Sequence, residues 1–233
     1  MSILTSDIIA AAHAHALAEY PRESCGVVID GRYVPMQNVA DDPARDFRIA
    51  ARAYAKVVRK AALILHSHPD GDPWPSKADM QGQLQTGKPW GLFTCNGEAC
   101  GEVRLWGDGL PVPELLGRPF VPGITDCYSL VRDYYRIERG IVLPEVPRDD
   151  QWWNAGENLY LDHLDAAGFR IVPESEIQPG DSFLACIRAD VPNHAGVLVG
   201  ADLILHHLAN RLSRREPVGP WLRKVHCWVR HHG

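Results

Sequence analysis

Two groups of side chains in this 233-residue sequence could do chemistry together. The first is His66-Ser67-His68-Pro69, which ends the apolar run AALIL, with Asp79 eleven residues beyond His68. Side chains alternate along a strand, so His66 and His68 point the same way and can pinch a divalent ion. A carboxylate returning from the next helix, Asp79, would supply a third ligand. Three protein ligands with the fourth position left to water suit catalytic rather than structural zinc. Hydrolysis by such a water also needs a base. Glu23, in the segment PRESCGVV before the first strand, is the best-placed free carboxylate. Ser76 shares a Pro-rich loop with Asp79 and could hydrogen-bond a developing oxyanion.

The second group centres on Cys127, which follows Asp126 at the predicted start of the helix CYSLVRDYYR. A helix N-terminus favours a thiolate, so a depressed cysteine pKa is expected there. His194 opens the strand HAGVLVG and His206 ends the next, LILH, with a short Gly200-Ala201-Asp202 turn between the two strands. Antiparallel pairing would bring the two imidazoles together, His194 as base for Cys127 and His206 as the group that orients it. His207 is expected to face away from this centre. The basic run from Arg211 to Arg230, interrupted by Glu216, reads as a solvated face or a surface for a partner.

Local signals suggest what positions these groups. SDIIAAAHAHALAEYP reads as a helix capped by Ser6, and an Asp30-Gly31 turn joins two strands. FRIAARAYAKVVRKA has helical periodicity, with Ile49, Tyr54, Val57 and Val58 on one face. A strand at AALILH, a helix capped by Ser76 and a hairpin from WGLFTC to GEVRLW complete a first unit, residues 1–106. Residues 107–122, rich in Pro and Gly, read as a linker. Residues 123–233 then give a helix at CYSLVRDYYRIERG, further helix through WWNAGENLYLDHLDAAG, three short strands and a last strand at WLRKVHCWVR. Cys95 and Cys100, astride Asn96-Gly97 and lacking a second Cys/His pair, read as reduced hairpin cysteines.

Composition bounds the function classes. A net charge of −5 argues against a broad nucleic-acid-binding face, and ordinary hydrophobic and charged fractions argue against disorder. There is no uncharged apolar run long enough to span a bilayer, and the N-terminal stretch lacks the basic and apolar regions of a secretory signal. Synthesis in the cytoplasm is the expectation.

Glu23 followed by H-S-H-P-x(6)-S-x(2)-D, from His66 to Asp79, resembles the JAMM motif of the MPN metalloprotease family. The resemblance implies a cytidine-deaminase-like sandwich and Zn2+ on His66, His68 and Asp79. It also implies Glu23 as general acid/base, Ser76 as oxyanion support, and cleavage of peptide or isopeptide bonds. Asp126-Cys127 opening a helix, Pro179-Gly180-Asp181 before a strand, and His194-x-Gly196 with His206 twelve residues later resemble NlpC/P60 cysteine peptidases. That family implies a papain-like domain with Cys127 as nucleophile, His194 as base and His206 as the third polar residue, cutting peptidoglycan stem peptides. Family members commonly read D-C-S-G, whereas Tyr128 and Ser129 follow the cysteine here. An α+β chain of two such domains is therefore expected.

The two families in this order are similar to the tail-tip proteins of lambda-like phages. This implies a place in the virion tail tip with other tail-tip proteins as partners. A structural plug with vestigial sites and a cellular isopeptidase for ubiquitin-like tags are the alternatives.

Overall fold

A computed structural model describes residues 3–233, and the chain divides into two compact units, Met1–Pro111 and Val112–Gly233. In the first, α1 (Ser6–Glu19) precedes the hairpin of β1 (Cys25–Ile29) and β2 (Arg32–Met36). Then come α2 (Ala51–Val57), β3 (Leu63–Pro69), α3 (Lys77–Thr86), β4 (Pro89–Cys95) and β5 (Arg104–Gly107). The sheet order is β2-β1-β3-β4-β5, with β3 and β4 parallel and the other neighbours antiparallel. A parallel pair needs a crossover, and α3 supplies it. Asp30 and Gly31 both take positive φ, as the tight β1–β2 turn requires. Ile8, Ala12 and Ala16 of α1 bury one stripe against Val28, Leu63, Leu65 and Phe93.

Several local expectations change. The cap of α1 is Thr5, whose hydroxyl accepts the Ile8 N–H at 3.4 Å, rather than Ser6. The expected apolar face of the second helix does not form. Ile49 is drawn into a β-bridge with Asn38, and α2 has only seven residues, none of them buried.

The second unit opens with α4 (Cys127–Arg139) and a short helix α5 (Leu159–Asp162). Its strands are β6 (Phe169–Val172), β7 (Ser182–Ala185), β8 (His194–Leu198), β9 (Leu203–His206), β10 (Arg214–Pro217) and β11 (Val225–His231). They form one antiparallel sheet ordered β10-β9-β8-β7-β11-β6. One face packs Leu184, Ala195, Val197 and Val229 against Val131 and Tyr135 of α4. The other packs Phe183, Ala185, Leu198 and Ile204 against Trp221 and Trp228. Burial on both faces explains why β7 and β8 read as continuous apolar runs.

The long helix expected through WWNAGENLYLDHLDAAG breaks into a 3-10 turn at Trp152–Ala155 and the one-turn α5. Gly156 between them takes φ +83°, outside the helical region. Strands β6 and β10 were not anticipated, and β10 (Arg-Arg-Glu-Pro) has no apolar alternation to signal it. The Pro/Gly-rich stretch is no free tether from Val112 onward. Arg118 there is buried, its NH1 lies 2.6 Å from Asp133, and its backbone N–H donates to Ser213 Oγ.

Asp126 caps α4 through the Ser129 N–H and sits buried against Arg148, whose guanidinium makes bonds of 2.8–2.9 Å to both carboxylate oxygens. Glu145 ties Arg148 to Arg132. Although burial opposes ionisation of Asp126, Arg148 holds its carboxyl below the usual range. Replacing Arg148 by Met would leave the buried Asp126 carboxylate without its cation and should cost about 3–5 kcal/mol at neutral pH. Because the folded pKa is depressed, the wild type keeps this stabilisation above about pH 4 and loses it as pH falls further. Denaturant unfolding of both proteins across pH 2–7 should show their difference narrowing in acid; equal stability at pH 7 would contradict the account.

Gly196 lies directly opposite His206. A Cβ there would stand 2.6 Å from the Phe183 ring and 2.7 Å from His206 Cβ. Gly196→Ala should therefore destabilise the second unit by about 1–3 kcal/mol, read as a lower melting temperature. An unchanged transition would show that the β8–β9 packing has slack.

Candidate functional sites

The first centre begins with strand alternation. His66 and His68 lie on one face of β3, and the intervening Ser67 turns to the other, where its hydroxyl accepts the Ser24 N–H at 2.9 Å. That bond fixes the chain entering β1, and so Glu23 next to it. Glu23 is further held by its N–H to Pro43 O (2.6 Å) and by Asn38 Nδ2 donating to its carbonyl (3.0 Å). From the other side, α3 brings Asp79 on its first turn. Ser76 caps that turn and donates to Asp79 Oδ2 from both its N–H (2.9 Å) and its hydroxyl (2.7 Å).

The two Nε2 atoms of His66 and His68 are 3.0 Å apart, and each is 3.3 Å from an Asp79 oxygen. Tetrahedral ligands at zinc distances of ~2.0–2.1 Å stand roughly 3.3 Å from one another, so this donor set fits the ion. His68 Nδ1 donates to Asp72 O at 2.8 Å, which leaves Nε2 as the lone-pair donor facing inward. His66 is wholly buried and stacks on Phe47. Despite its burial, His66 and His68 hold the Asp79 carboxyl well below the usual range.

Glu23 has the opposite electrostatics. Burial pushes its carboxyl up to about 8; His68 opposes the rise, while Asp79 and Asp46 add to it. Its Oε2 is buried and has no hydrogen-bond partner among the described residues. Such an orphaned acceptor beside a three-ligand cluster suits proton transfer with a polar group held at that cluster. The Ser76 hydroxyl donates to Asp79 Oδ2 and so orients that carboxylate.

The second centre lines a cavity of about 220 Å³ in the second unit, with Cys127, Tyr160, His194 and Ala195 in its wall. Cys127 is the first residue of α4, and its sulfur lies 3.3 Å from the Tyr160 hydroxyl. The expected depression of the thiol pKa is reversed. Burial pushes the thiol up and the Asp126 carboxylate adds to this, outweighing the Tyr160 hydroxyl, the Ala195 N–H and Arg148. The charge of Asp126, not anticipated in this sense, offsets the helix N-terminus.

His194 and His206 meet as expected, Nε2 to Nδ1 at 3.1 Å, because β8 and β9 pair Gly196 with His206. Burial holds both below the ordinary imidazole value, His194 the more strongly. His206 Nε2 is 2.9 Å from Glu216 of β10. His207 does not turn away from the cavity: it lines it, stacks edge-on against Phe120, and bonds Arg211 O through Nε2. Tyr160 and Arg148 have no sequence signal, and Glu216 shows in the sequence only as the acid that interrupts a basic run. They lie 33, 22 and 10 residues from Cys127, Asp126 and His206, their respective partners, at no motif spacing.

Comparison with known proteins adds the family. Residues 5–107 match Prok-JAB, prokaryotic homologs of the JAB domain, and residues 117–231 match the NlpC/P60 family. Tail tip assembly protein K of Escherichia phage lambda is 43% identical over 76% of this chain and 85% of its own. Tail tip assembly protein K of Escherichia phage N15 is 37% identical over 88% of this chain and 86% of its own. A solved NLP/P60-family protein from Staphylococcus aureus covers 50% of this chain and 37% of its own at TM-score 0.37 and 18% identity, too distant to add to the assignment. The chain thus consists of a prokaryotic JAB domain followed by an NlpC/P60 domain, and it belongs to the family of the phage tail tip assembly proteins K.

Proposed function

We propose that this chain acts in the phage tail tip as a peptidase with two separate centres. After synthesis in the host cytoplasm it joins other tail-tip proteins. The thiol centre cuts peptidoglycan stem peptides for tail assembly or wall penetration, and the JAB unit hydrolyses a peptide or isopeptide bond. The observation that carries this reading is that Cys127 and His194 both line one cavity, with His206 in contact with the His194 imidazole. Both matched relatives are phage proteins, which favours a tail tip over a cellular isopeptidase.

In the thiol centre His194 takes the Cys127 proton as the sulfur attacks the scissile carbonyl, then returns it to the leaving amine. Water releases the acyl group from Cys127 with His194 again as base. In the JAB unit His66, His68 and Asp79 would hold Zn2+, which supplies Lewis acidity and acidified water. Glu23 accepts and returns a proton at Oε2, and Ser76 keeps Asp79 turned toward the two histidines.

The raised Cys127 thiol favours a second reading, a structural tail-tip plug whose centres are silent. In that case Cys127→Ala and Glu23→Gln particles would infect like wild type.

Zymography on purified peptidoglycan separates the centres. Clearing should disappear in Cys127→Ala and persist in the presence of a chelator. Clearing that survives Cys127→Ala but fails with chelator would move wall cleavage to the JAB unit. Metal analysis of freshly purified protein should find about one zinc per chain, lost in His68→Ala. An equal zinc content in that variant would remove His68 from the ligand set.

A further inference from the structure

Glu216 is the lone acid in a basic stretch, and the fold turns it inward. Its Oε1 lies 2.9 Å from His206 Nε2 and accepts the Trp221 indole N–H at 2.6 Å, while its Oε2 lies 2.5 Å from Arg214 NH2. These partners hold its carboxyl below the ordinary range despite partial burial. An ionised carboxylate only accepts hydrogen bonds, so the proton in the contact with His206 sits on Nε2. A neutral imidazole carries one N–H, so His206 Nδ1 is then an acceptor. It faces His194 Nε2 at 3.1 Å, and His194 must donate. The one lone pair left on His194 is at Nδ1.

We propose that Glu216 is a positioning residue for the thiol centre. Through His206 it fixes His194 as the Nε2–H tautomer, leaving Nδ1 to accept the Cys127 proton, and it stabilises the imidazolium that results. This deepens the peptidase reading and rests on it. In the step, the S–H bond breaks, its electron pair stays on sulfur, and an N–H bond forms at His194 Nδ1. Glu216 remains ionised, and no proton need move beyond His194.

The surrounding charges make Glu216 decisive. Around Cys127 stand Asp126, Arg148 and Tyr160; around His194 stand His206, His207 and Lys224; around His206 stand Arg214 and His207. Among the described groups acting on the two imidazoles, Arg214 and Lys224 are cations that oppose an imidazolium, and Glu216 is the acid that offsets them.

The test uses the full chain with 15N-labelled histidine, plus alkylation of Cys127 by iodoacetamide followed by mass spectrometry across pH 5–10. Wild type should show both imidazoles as Nε2–H tautomers, and His194→Ala should lose the neutral-pH alkylation. Glu216→Leu should mix the tautomers. Glu216→Gln, whose carboxamide oxygen still accepts, should keep them but alkylate about tenfold more slowly at pH 7, its rise displaced to higher pH. If both Glu216 variants keep the wild-type nitrogen shifts and alkylation profile, Glu216 merely ties β10 to Trp221 and the proposal falls. Should Glu216→Leu fail to fold, a wild-type profile in the isosteric Glu216→Gln suffices to overturn it. Alkylation unchanged in His194→Ala would instead sink the peptidase reading, and this proposal with it.

Discussion

Alternation of side chains along hydrogen-bonded strands is the constraint on which both centres depend. On β3, pairing with β1 and β4 sets His66 and His68 to one side and Leu65 and Ser67 to the other. A slip of one residue would turn both imidazoles away from Asp79 and bury nothing that binds a cation. The same logic governs β8 and β9, where His206 stands across from Gly196 and so reaches His194. In each case ladder hydrogen bonds and apolar burial, not the reactive groups, hold the register.

Helix starts supply the second element of each centre, with opposite electrostatic results. Asp79 enters on the first turn of α3 with Ser76 bonded to one oxygen, and both oxygens face imidazoles. Its charge is thereby available to a cation. Asp126 occupies the cap of α4, but Arg148 covers both its oxygens, so its charge is spent on structure. The neighbouring thiol feels burial and that carboxylate together, and both disfavour its ionisation. Glu23 stands apart from both patterns, a buried acid whose burial outweighs the opposing His68 and makes it protonatable near neutrality.

Much of this was legible in the sequence wherever the signal was local. The x-His-x-His-x alternation, the Asp30-Gly31 turn, the Ser76 cap and the His194/His206 pair across a short turn each follow from spacing within one or two elements. What was not legible depends on contacts between distant segments. Arg148 reaches Asp126 from a loop, Tyr160 reaches Cys127 from a helix of one turn, and Glu216 sits on a strand made of charged residues and proline. The direction of the Cys127 shift failed for the same reason: a helix N-terminus can be read from the chain, but the degree of burial cannot. Ser76 shows a subtler limit, since the feature that marks a helix cap also commits its hydroxyl to Asp79.

X-ray absorption at the zinc edge of the purified full chain tests the placement by strand alternation most directly. Two imidazole nitrogens and carboxylate or water oxygen at ~2.0–2.1 Å, with no sulfur, are the ligand shell that His66, His68 and Asp79 would give. A sulfur shell at ~2.3 Å would place the ion on cysteines instead and contradict the register argument for the first centre.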